Sequence, residues 1–63
     1  MTTKIKELRN EKRLTQEELS MRSGVSRQTI VSIENDPSYN VTYKTLNAIA
    51  GALGVTVDQL FLP

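Results

Sequence analysis

The sequence has no cysteine, no histidine and no tryptophan, and only three glycines and two prolines in 63 residues. Without cysteine there is no disulfide staple and no thiolate metal site. Without histidine the chain lacks the usual proton shuttle near neutral pH and the commonest metal ligand. Apolar runs such as Ile30-Val31 and Phe61-Leu62 fall far short of the roughly 20 residues that span a bilayer. The opening Met1-Thr2-Thr3-Lys4 contains no apolar signal core, so a cytoplasmic location is expected, with no membrane association. Carboxylates are poorly placed for acid–base work. Glu17 and Glu18 are neighbours, hence about 100° apart on a helix, and Glu7 and Glu11 sit among cations. No hydroxyl has a plausible base beside it, so an enzyme is not expected, nor a metal or cofactor.

What is present is enough for one domain spanning residues 1–63, with 38% apolar residues. A chain of this size buries only about 60% of the surface its unfolded form exposes, so modest stability is expected and a partner subunit would help. The net charge is +1, which by itself predicts no polyanionic partner. By segment it is uneven. Residues 1–13 carry Lys4, Lys6, Arg9, Lys12 and Arg13 against Glu7 and Glu11, a surplus of +3. Residues 14–36 carry −2, and the remainder is neutral. Charge alone leaves two readings open for the amino end, a phosphate-facing arm and a solvated helix face.

The apolar periodicity is helical throughout and predicts five helices with no strands. Thr3 is placed to cap a first helix with Ile5 and Leu8 inward, ending near Lys12-Arg13, where cations suit the carboxyl end. Thr15-Gln16-Glu17-Glu18 is a capping box that opens a second helix with Leu19 inward. Gly24 ends it. Ser26 caps a third helix whose apolar stripe is Ile30 and Ile33. Pro37 forbids its continuation, and because Asp36 precedes that proline, Asn35 is the expected left-handed cap. Thr42 caps a fourth helix with Leu46, Ile49, Ala50 and Leu53 on one face, ended by Gly54. Thr56-Val57-Asp58-Gln59 is a further capping box, opening a short fifth helix through Leu60 and Phe61.

Two short helices joined by a tight glycine-containing turn have the geometry of a helix-turn-helix, although many helical bundles contain such turns. With Ile30 inward, Ile33 and Glu34 lie within about 60° of it. Gln28, Val31, Ser32 and Asn35 then face the other way, with Arg27 at the flank of the first turn. Glutamine can bond adenine bidentately, arginine guanine, and an apolar group can touch the thymine methyl. On the helix alone, an ordinary polar face is the favoured reading.

The identity of the residues adds to the spacing. Leu14-Thr15-Gln16-Glu17-Glu18-Leu19, then Gly24-Val25-Ser26-Arg27-Gln28-Thr29-Ile30, then Ile33-Glu34 resemble the Cro/C1-type (Xre) helix-turn-helix family. Leu46, Ile49-Ala50, Leu53-Gly54-Val55 and Leu60-Phe61 look like that family's fourth and fifth helices, so the resemblance covers roughly residues 4 to 62. It implies a compact all-α, five-helix bundle of the lambda-repressor-like type, with helix 3 (about residues 27–35) in the major groove. It implies base-reading positions at Arg27 and Gln28, a secondary one at Ser32, and Val31 on the same face. It implies phosphate contacts from Gln16 and Thr15 at the start of helix 2, and from Asn35 and the loop after it. There the sequence departs from the family, which usually has Gly with Lys or Arg beside it. Here Asp36-Pro37 stands in that place, and Asp36 repels a phosphate unless it points away. Any help from this region must come from Asn35, Ser38, Tyr39, Asn40, Thr42 or Tyr43.

The resemblance further implies a structural ion pair between Arg9 and Glu34, and dimerisation through the carboxyl end, where Val55, Val57, Leu60, Phe61 and Leu62 are apolar. Two-fold symmetry would place paired helices about 34 Å apart on a pseudo-palindromic operator. The function expected on these grounds is a sequence-specific, double-stranded-DNA-binding transcriptional regulator, a homodimeric repressor acting at the nucleoid. With no room for a sensing domain, regulation is expected from concentration, dimerisation or a protein partner. Two alternatives stand beside it. One is an antitoxin or restriction-modification controller that represses its own operon. The other is a protein-interaction module that has lost DNA binding, which the small net charge and Asp36 favour.

Overall fold

A computed structural model describes residues 3–61. Helices α1 (Ile5–Glu11), α2 (Gln16–Ser23), α3 (Arg27–Asn35) and α4 (Tyr43–Leu53) are followed by a 3-10 turn at Asp58–Leu60. Of the five helices expected, the fifth is therefore only that single turn. Leu60 and Phe61 close it with bonds to the carbonyls of Val57 and Asp58. The capping box is formed, with the Thr56 N–H donating to Gln59 Oε1 at 2.8 Å. The tighter turn is the geometry that carries Leu60 into the core, where it is fully buried.

The other starts follow the local chemistry. Thr15 and Glu18 cap each other across the first turn of α2, at 3.0 and 2.9 Å. Ser26 and Thr42 accept from the N–H groups of Thr29 and Thr45, each at 3.2 Å. At α1 the expectation needs adjustment. Lys4 occupies the cap position without a side-chain bond, and Thr3 Oγ1 reaches the Ile5 N–H only at 3.5 Å.

Helix ends differ more from expectation. Gly24 and Gly54 are left-handed as anticipated, at φ 76 and 72. Asn35 is not: it stays helical, and Asp36 leaves α3 in an extended conformation, φ −119 and ψ 100. The proline that follows disfavours the helical region for Asp36 and steers the chain out without a left-handed residue. Arg13 takes that conformation instead, at φ 57. The N–H groups of Arg13 and Leu14 bond to the carbonyls of Asn10 and Arg9, a helix stop at which glycine is the usual occupant. The stop turns Leu14 back into the core, where it is 7% exposed.

The core combines Ile5, Leu14, Leu19, Ile30, Ile33, Leu46, Ile49, Ala50, Leu53 and Leu60. Helix α2 packs on both α3 and α4. The Lys4 N–H donates to the Leu60 carbonyl at 2.6 Å, tying the start of α1 to the final turn. Among the described residues no helix is long and apolar enough to cross a membrane.

Candidate nucleic-acid interface

Helices α2 and α3 are separated by Gly24, Val25 and Ser26 alone. Three contacts shape this turn. The Gly24 N–H returns to the Ser20 carbonyl at 2.9 Å, the Ser20 hydroxyl donates to the Val25 carbonyl at 2.6 Å, and the Val25 N–H donates to Ser23 Oγ at 3.1 Å. Val25 packs its side chain against the core. A left-handed glycine followed by a packed valine sets the direction in which α3 leaves. The role of Ser20 was missed from the sequence. A hydroxyl four residues before Gly24 was the available signal.

Helix α3 buries Ile30 and Ile33, at 0% and 5% exposure. That leaves Arg27 and Gln28 exposed at its amino end, with Val31 and Ser32 half-buried farther along and Asn35 exposed at the carboxyl end. Arg27 makes no ion pair with any described residue. Its guanidinium and the exposed Gln28 amide are accessible to a ligand. The Asn35 side chain donates to the Val31 carbonyl at 3.0 Å.

The underside of α3 is held by charge. Arg9 Nε and Nη2 donate to Glu34 Oε2 and Oε1 at 2.8 and 3.2 Å, and Arg9 Nη1 donates to the Leu14 carbonyl at 2.7 Å. The side chains are 10% and 1% exposed respectively. The bond to Glu34 raises the Arg9 pKa, opposed by burial. Arg9 and Glu34, 25 residues apart in sequence, thus meet as a fork on a carboxylate. A third member was not foreseen: Gln16 Nε2 donates to Glu34 Oε1 at 3.1 Å.

The remaining expected contacts lie at the start of α2, in the loop after α3 and at the start of α4. Thr15 is exposed, but its hydroxyl is engaged as the α2 cap. Its backbone N–H and then its hydroxyl hold the Glu18 carboxyl below its ordinary pKa. In the loop, Asp36 Oδ1 accepts from the Ser38 hydroxyl at 2.6 Å and the Ser38 N–H at 3.0 Å. Those bonds lower the Asp36 pKa, the hydroxyl contributing most, and they turn one carboxylate oxygen back onto the loop. Thr42 is exposed, with its hydroxyl occupied by the α4 cap, and Tyr43 is 70% exposed. Tyr39 packs partly against the core.

At the carboxyl end the five apolar residues separate. Leu60 is fully buried, so it belongs to the core and is corrected out of any seam between copies. Val55 and Val57 are half-buried against the core, and Phe61 is 40% exposed. Leu62 lies outside the described residues.

Two helices joined by a glycine-led turn, with the second offering Arg and Gln from its first turn, define a helix-turn-helix protein. Residues 5–60 match the helix-turn-helix family model. The sequence is 42% identical over 57 residues to the immunity repressor protein of Bacillus phage phi105, covering 90% of this chain and 39% of that protein. It is 42% identical over 65 residues to an uncharacterized HTH-type transcriptional regulator of Methanocaldococcus jannaschii, covering 98% and 92% of the two chains. An uncharacterized HTH-type regulator of Methanothermobacter thermautotrophicus is 48% identical over 63 residues, covering 98% and 90%. The chain spans about two fifths of the phage repressor but nearly the whole of these two archaeal proteins. The protein belongs to the Cro/C1-type (Xre) helix-turn-helix family of DNA-binding, non-enzymatic transcriptional regulators.

Proposed function

We propose that the protein is a sequence-specific repressor that binds a pseudo-palindromic operator as a homodimer, one α3 in each of two successive major grooves. Residues 1–63 act as a single DNA-binding domain at the nucleoid, in the cytoplasm. The observation that carries this reading is the exposed Arg27-Gln28 pair on the first turn of a helix whose opposite side is buried. Side chains at that end of the second helix of such a motif meet base edges. Arg27 suits guanine and Gln28 adenine, with Ser32 and Val31 closer to the groove wall. Thr15, Gln16, Asn35, Thr42 and Tyr43 border the phosphates, and Tyr39 contributes only through its exposed edge. Phe61 with Val55 and Val57 supplies the seam between copies. The name of the phage relative supports repression as the sign of regulation. Autoregulation by an antitoxin or a restriction-modification controller would use the same surface.

The test is selection from a randomised duplex pool at two salt concentrations. A palindromic motif and a steep salt slope are expected. Arg27→Ala or Gln28→Ala then loses about 1–3 kcal/mol on the selected site and relaxes discrimination at one base. No enrichment, with only weak salt-sensitive binding, refutes the proposal. The second reading is a protein-interaction module. Met21, 78% exposed, and Tyr43, 70% exposed, favour it as large surface side chains, and that result would turn the search to a protein partner.

A further inference from the structure

Glu34 is used twice. Its Oε2 takes Arg9 Nε, and its Oε1 takes both Arg9 Nη2 and Gln16 Nε2, at 3.2 and 3.1 Å. With its side chain 1% exposed, Glu34 does not itself offer a contact to DNA. Gln16 is different. It is half-buried at the first position of α2, on the edge where the proposed operator backbone runs. A carboxylate accepts and never donates, so it fixes which end of the Gln16 amide faces it: the nitrogen inward, and Oε1 with the second N–H away from Glu34.

We propose that Glu34 is a positioning residue for DNA binding. By holding Gln16 Nε2 it fixes the amide of a DNA-facing side chain on α2 to the helix that reads the bases. The inference rests on the proposed operator binding. A free glutamine has three side-chain torsions to order when it meets a ligand. One already tethered at Nε2 surrenders less freedom on binding and presents one orientation of its polar atoms. The tether is anchored in turn, because Arg9 grips Glu34 from α1 and the Leu14 carbonyl from the strained helix stop. Loss of a negative charge at position 34 should by itself tighten DNA binding. Weaker binding therefore carries the signature of lost positioning.

The experiment is a double-mutant cycle read as affinity for the selected operator, at a temperature where circular dichroism shows each variant folded. Glu34→Gln keeps the size and removes the charge. In the otherwise unchanged chain it is expected to weaken binding about three- to tenfold, and in the Gln16→Met background less than about twofold. Equal losses in both backgrounds, or tighter binding in the unchanged chain, overturn the proposal. Failure of the unchanged chain to select any duplex overturns operator binding itself, and the inference falls with it. If Glu34→Gln does not fold, side-chain amide NMR of the unchanged protein decides. One Gln16 Nε2 proton should exchange more slowly than those of exposed Gln28, and equal exchange overturns the assignment.

Discussion

Replacing Glu34 by alanine removes the acceptor for three N–H donors, two from Arg9 and one from Gln16, at a side chain only 1% exposed. Arg9 keeps its bond to the Leu14 carbonyl but loses its counter-charge while still largely shielded from water. Leaving one member of a buried pair unmatched costs roughly 3–5 kcal/mol. A domain of 63 residues has on the order of 3–9 kcal/mol in total, at about 0.05–0.15 kcal/mol per residue. The variant is thus expected to lose most of its stability. In urea, with a slope of about 1 kcal/mol/M for so small a domain, the far-UV circular dichroism midpoint should fall by about 3 M or the protein should be unfolded without denaturant. The double variant Arg9→Met with Glu34→Leu should recover much of the loss, because an apolar pair leaves no orphaned charge. A loss below about 1 kcal/mol for Glu34→Ala, the value of a solvent-screened pair, would refute the reasoning. So would a double variant as unstable as the two singles added together.

Arg13→Gly should stabilise the fold by about 0.5–1 kcal/mol, because glycine takes φ 57 without the steric penalty that arginine bears. A raised urea midpoint checks it, and a lowered one means the Arg13 side chain contributes more than its backbone costs. Leu60→Ala should lose about 2–5 kcal/mol, as a fully buried leucine does. Phe61→Ala, at 40% exposure, should instead change self-association measured by sedimentation more than monomer stability. Glu18 and Asp36 have folded-state pKa values below their ordinary ones. Their contribution is therefore complete above the ordinary carboxylate range and is lost as pH falls through the folded values, below about pH 4. Thermal midpoints between pH 6 and 3 should decline, and Thr15→Val should flatten that decline by removing the hydroxyl that helps hold Glu18.

The helices were legible because their signals are short. Thr15 with Glu18, Ser26 with Thr29 and Thr42 with Thr45 are exchanges over three residues, and hydroxyl chemistry at a helix start is nearly independent of what surrounds it. Gly24 and Gly54 announced their left-handed stops for the same reason. Where two local rules competed, the outcome was harder to see. Asn35 is a good left-handed residue, but the restriction that Pro37 places on Asp36 made such a cap unnecessary. The final capping box was present, yet it opened only the single 3-10 turn at Asp58–Leu60.

The side of α3 turned away from the core followed from a 100° step and the inward position of Ile30, and the resemblance told which of its residues to weigh most. By itself, then, the sequence determined the four helices, the glycine stops of α2 and α4, and the family. Tertiary structure decided the rest. It buried Leu60 and left Phe61 partly outside, although the two are equally apolar neighbours, because the last turn places only Leu60 in the core cluster. It forced Arg13 into a glycine-like conformation so that Leu14 could turn inward. It brought Gln16 to Glu34 across 18 residues. Such contacts depend on how packed helices cross, and no spacing within one helix encodes that.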